Sequence, residues 1–138
     1  MPSESFDFLA AQLADAPFHG WLRPALIAVD EATSEIALRL PIRDEFRRIA
    51  ARPEVHGGVL AAFADIAGHA AIAVRVRHGV PTIDMRVDYL RPAAGAFLIA
   101  TATVVKLGRM IGLADVKIVD PNGKLVVTAR GAYMTRDE

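Results

Sequence analysis

The stretch V-H-G-G-V-L-A-A-F-A-D-I-A-G-H at positions 55 to 69 carries the residues best placed to do chemistry: His56, Gly57, Gly58, Asp65 and His69. The letters between them are apolar or small, the pattern of a helix that is apolar nearly all round. If that helix begins at the glycine pair, its first N–H groups have no intrahelical partner, and the positive end of its dipole points the same way. Glycine leaves that backbone open to close approach by a ligand or a second chain. Such an end suits an oxygen that turns negative during reaction, as the carbonyl oxygen of an ester or thioester does. On spacing alone the plainer alternative stays open, that Gly57 and Gly58 only break the chain ahead of a helix.

Asp65 follows Gly57 by eight residues, a little over two turns, so within one straight helix its carboxylate cannot meet those amides. In a site shared between two subunits, one chain would supply the helix N-terminus and the other the carboxylate, as general base or nucleophile. An Asp that faces solvent or caps a neighbouring element fits the same letters. His69 lies one turn further, on the helix face of Asp65. It reads either as a second polar group of one cavity or as a hydrogen-bonded core histidine.

The elements that must position these groups follow from periodicity. Phe6, Leu9, Ala10 and Leu13 form a helical stripe over about residues 4–15, with Ser3 or Ser5 as cap and Pro17 ending the run. Residues 25–29 and 35–40 read as strands around the turn D-E-A-T-S, and residues 41–53 as a charged connection with room for a short helix. The central helix is predicted over about residues 57–76. From Thr82 to Arg91 the letters alternate, placing Ile83, Met85, Val87 and Tyr89 on one face of a strand and Thr82, Asp84, Arg86 and Asp88 on the other. Residues 97–106 and 111–119 are β-rich around the turn L-G-R-M, and D-P-N-G-K at 120–124 is a hairpin signal before a last strand at 125–134. Short connections imply antiparallel pairing. The prediction is one α+β domain over residues 1–138, a curved antiparallel sheet wrapped around a long central helix.

Composition narrows the function. Of 138 residues 53% are hydrophobic, enough for a core without staples. Sixteen Lys and Arg balance sixteen Asp and Glu, which argues against a nucleic acid or an anionic membrane as partner. With no cysteine, thiolate nucleophiles and disulfides are excluded. The three serines, Ser3, Ser5 and Ser34, lie outside any G-x-S-x-G context, and the four histidines show no metal-ligand spacing, so no metal is expected. The central helix is long enough to cross a bilayer, but Asp65 and His69 near its middle make that costly. The acidic N-terminus lacks the basic start of a signal peptide. A cytoplasmic protein is expected.

At V-H-G-G-V-L-A-A-F-A-D (55–65), T-I-D-M-R-V-D-Y-L-R-P-A (82–93), V-V-K-L-G-R (104–109) and the closing G-K-L-V-V-T-A-R-G-A-Y, the sequence resembles the PaaI-like, phenylacetate-degradation type acyl-CoA thioesterases of the hot-dog fold. The resemblance runs from about Arg23 to Tyr133. It implies homodimers joined edge to edge, often paired into tetramers, with sites at the dimer interface. It implies hydrolysis of an acyl- or aryl-CoA without a further cofactor, coenzyme A being part of the substrate. By position, Gly57 takes the role of the backbone donor to the thioester carbonyl, His56 orders the site, and Asp65 of the facing subunit is the nucleophile or base. Thr82 matches a hydroxyl residue that holds the attacking water. Gly58 and His69 line the pocket, and Arg109, Lys106 and Arg91 meet phosphates of coenzyme A. The sequence departs from the family at Ala50, where many members carry an Asn or Gln; Arg52 or Glu54 could stand in for it. A non-catalytic acyl-CoA binding module on the same fold is the alternative that this departure favours.

Overall fold

The computed structural model describes residues 2–137. Helix α1 (Glu4–Ala14) opens at Ser3, whose hydroxyl accepts the Phe6 N–H, the expected cap. Pro17 does more than end that helix. It starts a second one, α2 (Pro17–Leu22), because a proline ring at the first helical position removes an N–H that had no partner anyway. Strands β1 (Ala25–Val29) and β2 (Ile36–Pro41) follow, then a single 3-10 turn at Asp44–Phe46. Helix α3 (Gly57–Val76) fills the predicted span and closes on Arg77 in the left-handed region at φ 65°.

Four strands complete the chain: β3 (Thr82–Tyr89), β4 (Phe97–Leu107), β5 (Ile111–Val119) and β6 (Leu125–Met134). All six strands form one antiparallel sheet in the order β1-β2-β4-β5-β6-β3. Its inner face closes on α3, where Phe63, Ala64, Ala67, Ala70, Ala71 and Ile72 are fully buried. The α+β sheet-around-helix architecture is therefore present. Helix α3 has the length and hydropathy of a membrane span, yet most of it is buried; it is the core helix of the fold.

Sequence order misleads at one connection. β3 does not pair with its successor β4 but with β6, leaving β3 as an edge strand. The crossing segment is pinned over the start of α3 by backbone bonds from Val55 N–H to Ala93 O and from Ile42 N–H to Ala96 O, at 2.8 and 2.9 Å. A tight β3–β4 hairpin would give up both.

The regular alternation predicted for β3 is broken too. In the β3–β6 ladder Thr82 stands opposite Tyr133 and Asp84 opposite Ala132, so Ile83 is an extra residue, a bulge. Directly opposed residues share a face of the sheet. The bulge thus turns Thr82 away from the solvent face of Asp84 and Arg86 and onto the helix-facing side with Tyr133. Re-aiming one side chain is a common use of a bulge.

Candidate active site

His56 is the N-cap of α3, and its Nδ1 accepts the Gly58 N–H at 2.8 Å. That bond consumes the Gly58 donor, so Gly58 offers no free amide. The Gly57 N–H, in contrast, has no partner among the described residues. The Val59 and Leu60 amides both turn back to the His56 carbonyl. One unpaired donor therefore remains at the positive end of a twenty-residue helix. Tyr89 frames it: its hydroxyl donates to the Gly57 carbonyl at 2.9 Å, and its ring lies where a Gly57 Cβ would touch it at 3.4 Å. Around this end lies a cavity of about 400 Å³ lined by Arg48, Leu60, Tyr89, Leu90 and Arg91 among others.

Asp65 faces a different cavity, of about 230 Å³, lined by Gln12, Ala16, His19, Asp65, Ile66, His69 and Thr82. The re-aimed Thr82 hydroxyl donates to Asp65 Oδ1 at 2.8 Å. A second hydroxyl, absent from the sequence-based expectation, comes from Tyr133. Its Oη lies 3.1 Å from the Asp65 carbonyl and 3.2 Å from Oδ1, sharing one proton between them. Two donors on Oδ1 fix the carboxylate and leave Oδ2 as the atom free for substrate or water.

Tyr133 reaches that position because two glycines make room. A Cβ on Gly68 would fall 2.3 Å from its Oη, and one on Gly131 would fall 2.5 Å away. Burial, with the Asp65 charge adding to it, pushes the Tyr133 phenol far above its ordinary pKa, so it remains a donor at any working pH. The sequence signal for this was present but unread: a glycine three residues past the acid, on α3, and another two residues before the tyrosine, on the strand that faces it.

His69 joins Asp65 in the cavity and also satisfies the core reading, its Nε2 accepting the Val80 N–H at 3.3 Å. That acceptor role requires an unprotonated Nε2. Burial lowers its pKa in the same sense, opposed by the Asp65 charge and reinforced by His19. Arg52 and Glu54 pair with each other at 2.7 Å, so neither is free to replace the amide missing at Ala50. Of the apolar residues around the site, Ile66 faces the Asp65 cavity and Tyr89 with Leu90 the Gly57 cavity, while Phe63 is fully buried in the core.

Within one chain the catalytic candidates thus fall into two groups. Gly57 and Asp65 are about 12 Å apart along the helix at 1.5 Å per residue. Each group sits at one end of β3, Thr82 beside Asp65 and Tyr89 beside Gly57. The cations divide likewise. Arg91 lines the Gly57 cavity. Lys106 and Arg109 lie at the β4–β5 turn, which Thr135 ties to the Thr82 end through its N–H to Met110 O and its hydroxyl to Gly108 O. None of these three forms an ion pair with another described residue.

Residues 54–127 match the thioesterase superfamily. The chain is 38% identical over 109 residues to a Halobacterium salinarum protein provisionally named an esterase, covering 75% of this chain and 72% of that one. It is 32% identical over 95 residues to YigI of Escherichia coli, a medium/long-chain acyl-CoA thioesterase, covering 58% of this chain and 61% of that relative. The solved structure of Escherichia coli PaaI, from its phenylacetic acid degradation operon, superposes with a TM-score of 0.81 at 26% identity over 97% of this chain and 94% of that one. The chain belongs to the thioesterase superfamily, with the hot-dog fold and PaaI-like character, and is a thioester hydrolase.

Proposed function

We propose that the protein is an acyl-CoA thioesterase whose active site is completed by a second copy of the chain. The observation that carries this reading is the placement of the two half-sites at opposite ends of the unpaired edge strand β3. An open edge with Ile83 and Tyr89 about half exposed is a template for strand pairing. If two copies of β3 pair antiparallel with the Thr82–Ile83 bulge opposite Tyr89, Met85 meets Val87 on the helix-facing side and the twofold axis falls at Arg86. The Asp65 end of each protomer then meets the Gly57 end of the other. The same operation brings Lys106 and Arg109 of one protomer toward Arg91 of its partner, a cationic rim suited to the phosphates of coenzyme A.

The chemistry follows from the groups available. The thioester carbonyl oxygen points at the Gly57 N–H of one protomer, and the carbonyl carbon faces Asp65 of the other. As general base, Asp65 takes a proton through Oδ2 from a water held near Thr82. The resulting hydroxide attacks the carbon, and the oxyanion rests on the Gly57 amide and the helix dipole. Collapse expels the coenzyme A thiolate, which recovers the proton from Asp65 and leaves with the free acid. As nucleophile, Asp65 would instead form an acyl-aspartyl anhydride that water then cleaves. In a single turnover in ¹⁸O-water, label on the Asp65 side chain identifies an anhydride cleaved at its aspartyl carbonyl, which the general-base route cannot produce. The scheme calls for no cofactor and assigns the protein to the cytoplasm, where coenzyme A esters are met.

The direct test is release of free thiol from acyl-CoA esters by wild type and Asp65→Ala. Loss of most hydrolysis with an unchanged oligomer supports the assignment; unchanged turnover overturns the role of Asp65. A binding-only protein would instead saturate with acyl-CoA and release no thiol. The free Gly57 amide and the doubly held carboxylate favour the enzyme.

A further inference from the structure

Gln12 is the least explained polar group near the site. It lies on α1, outside every motif discussed above, yet it lines the cavity that holds Asp65, His69 and Thr82. Its Oε1 is buried and has no hydrogen-bond partner among the described residues. Buried acceptors of this kind are few in native proteins, and each calls for a cause. The nearby Gly79 is part of the setting: a Cβ there would fall 2.9 Å from the Gln12 Nε2, so the glycine leaves room for the amide.

The rest of the wall has the same character. The His19 Nδ1 lies 2.8 Å from the Leu13 carbonyl; a carbonyl only accepts, so Nδ1 carries the proton and the Nε2 of the neutral ring is an acceptor. The His69 Nε2 is taken by Val80. Only Ala16 and Ile66 are apolar members of the lining. With Nε2 accepting, the His69 proton sits on Nδ1, and beside that one donor the cavity presents spare acceptors on Gln12, His19 and Asp65.

Size restricts what enters. Resting on the reading above, the carbonyl carbon sits at Asp65, coenzyme A leaves along the cationic rim, and the acyl group has this cavity beside it. A void of about 150 Å³ holds a benzene ring. The present cavity, about 230 Å³, takes roughly eight heavy atoms at the 30 Å³ share of a liquid water molecule. That is the portion of an acyl group within reach of Gln12 and Asp65, and a compact acyl group lies wholly within it.

We infer that Gln12 is a specificity-determining residue, whose side-chain carbonyl accepts a hydrogen bond from a donor carried on a compact acyl group. The experiment compares matched esters that differ by one hydroxyl, 4-hydroxybenzoyl-CoA against benzoyl-CoA and 3-hydroxybutyryl-CoA against butyryl-CoA, with dodecanoyl-CoA as the long-chain control. Wild type should favour the hydroxylated member of at least one pair by about tenfold or more in kcat/KM. Gln12→Leu should erase that preference by lowering kcat/KM of the hydroxylated member more than that of its partner, and Gln12→Asn should restore part of it. The inference is overturned if wild type treats both members of each pair alike, if Gln12→Leu lowers both members equally, or if dodecanoyl-CoA is the preferred substrate. A water held by Gln12, rather than a substrate group, would show as a lowered melting temperature in Gln12→Leu with the preference intact, which also overturns it. Absence of thiol release from all five esters in wild type would instead count against the thioesterase reading, so the two failures are distinct.

Discussion

Gly57→Pro removes one hydrogen-bond donor and puts the ring Cδ in its place. Gly57 is the first residue of α3, the helical position that tolerates proline best. The residue before a proline must be extended, and His56 already is, at φ −60° and ψ 135°. The new Cβ would lie 3.4 Å from the Tyr89 ring, an ordinary contact. No described residue accepts a bond from the Gly57 N–H, so its loss orphans nothing. Folding stability should hold or rise by about 0.4–1 kcal/mol through the stiffer unfolded chain. Catalysis should not hold. Removal of one oxyanion donor typically costs about 10²–10³ in kcat, about 2.7–4 kcal/mol of transition-state stabilisation. Gly57→Ala is the control, since it adds the same Cβ and keeps the N–H. Thiol release at saturating acyl-CoA, with thermal melts of both variants, reads out the comparison. If folded Gly57→Pro turns over within about threefold of Gly57→Ala, the Gly57 amide does not stabilise the transition state.

Other consequences concern the carboxylate's supports. Gly68→Ala puts a Cβ 2.3 Å from the Tyr133 Oη and should destabilise by about 1–3 kcal/mol. Tyr133→Phe alone should lose about 0.5–1.5 kcal/mol, and the double variant should be more stable than the sum of the two, because the hydroxyl is the atom struck; strict additivity in urea melts would contradict this packing. His69 supplies a pH signature. Burial holds its native pKa below the ordinary value, so the unfolded chain binds a proton first as pH falls. Its contribution to stability is therefore full above about pH 6.5 and is lost below it, towards the lowered native pKa. Urea midpoints from pH 7.5 to 5.5 should fall more steeply for wild type than for His69→Gln, whose amide oxygen can still accept the Val80 N–H; parallel profiles would refute the assignment.

Most of the architecture could be read from local patterns. The bounds of α3 follow from the glycine pair and the apolar run, and β6 from the hairpin signal ahead of it. What escaped was non-local. Nothing in T-I-D-M-R-V-D-Y marks Ile83 as a bulge, since the bulge exists only against β6, and the face assigned to Thr82 was wrong for that reason. The partnership of β3 with β6 instead of β4 depends on where residues 90–96 cross, which is a property of the packed loop around Val55 and Ala93. The positions of His56 and Gly57 at the start of α3, and of Asp65 two turns on, were legible because helix geometry ties position to sequence spacing. Gln12 and Tyr133 were not, because each reaches the Asp65 side chain or its cavity from a distant element, α1 and β6.

The central claim is that each active site borrows its amide from one protomer and its carboxylate from the other. Mixing Gly57→Pro and Asp65→Ala chains after joint refolding tests it most directly. In a shared site the mixed dimer contains one doubly damaged site and one intact one. With random pairing, half the dimers are mixed, so thiol release should recover to about a quarter of the wild-type rate from two nearly inactive parents. Verified mixed dimers with no more activity than the parents would contradict the account.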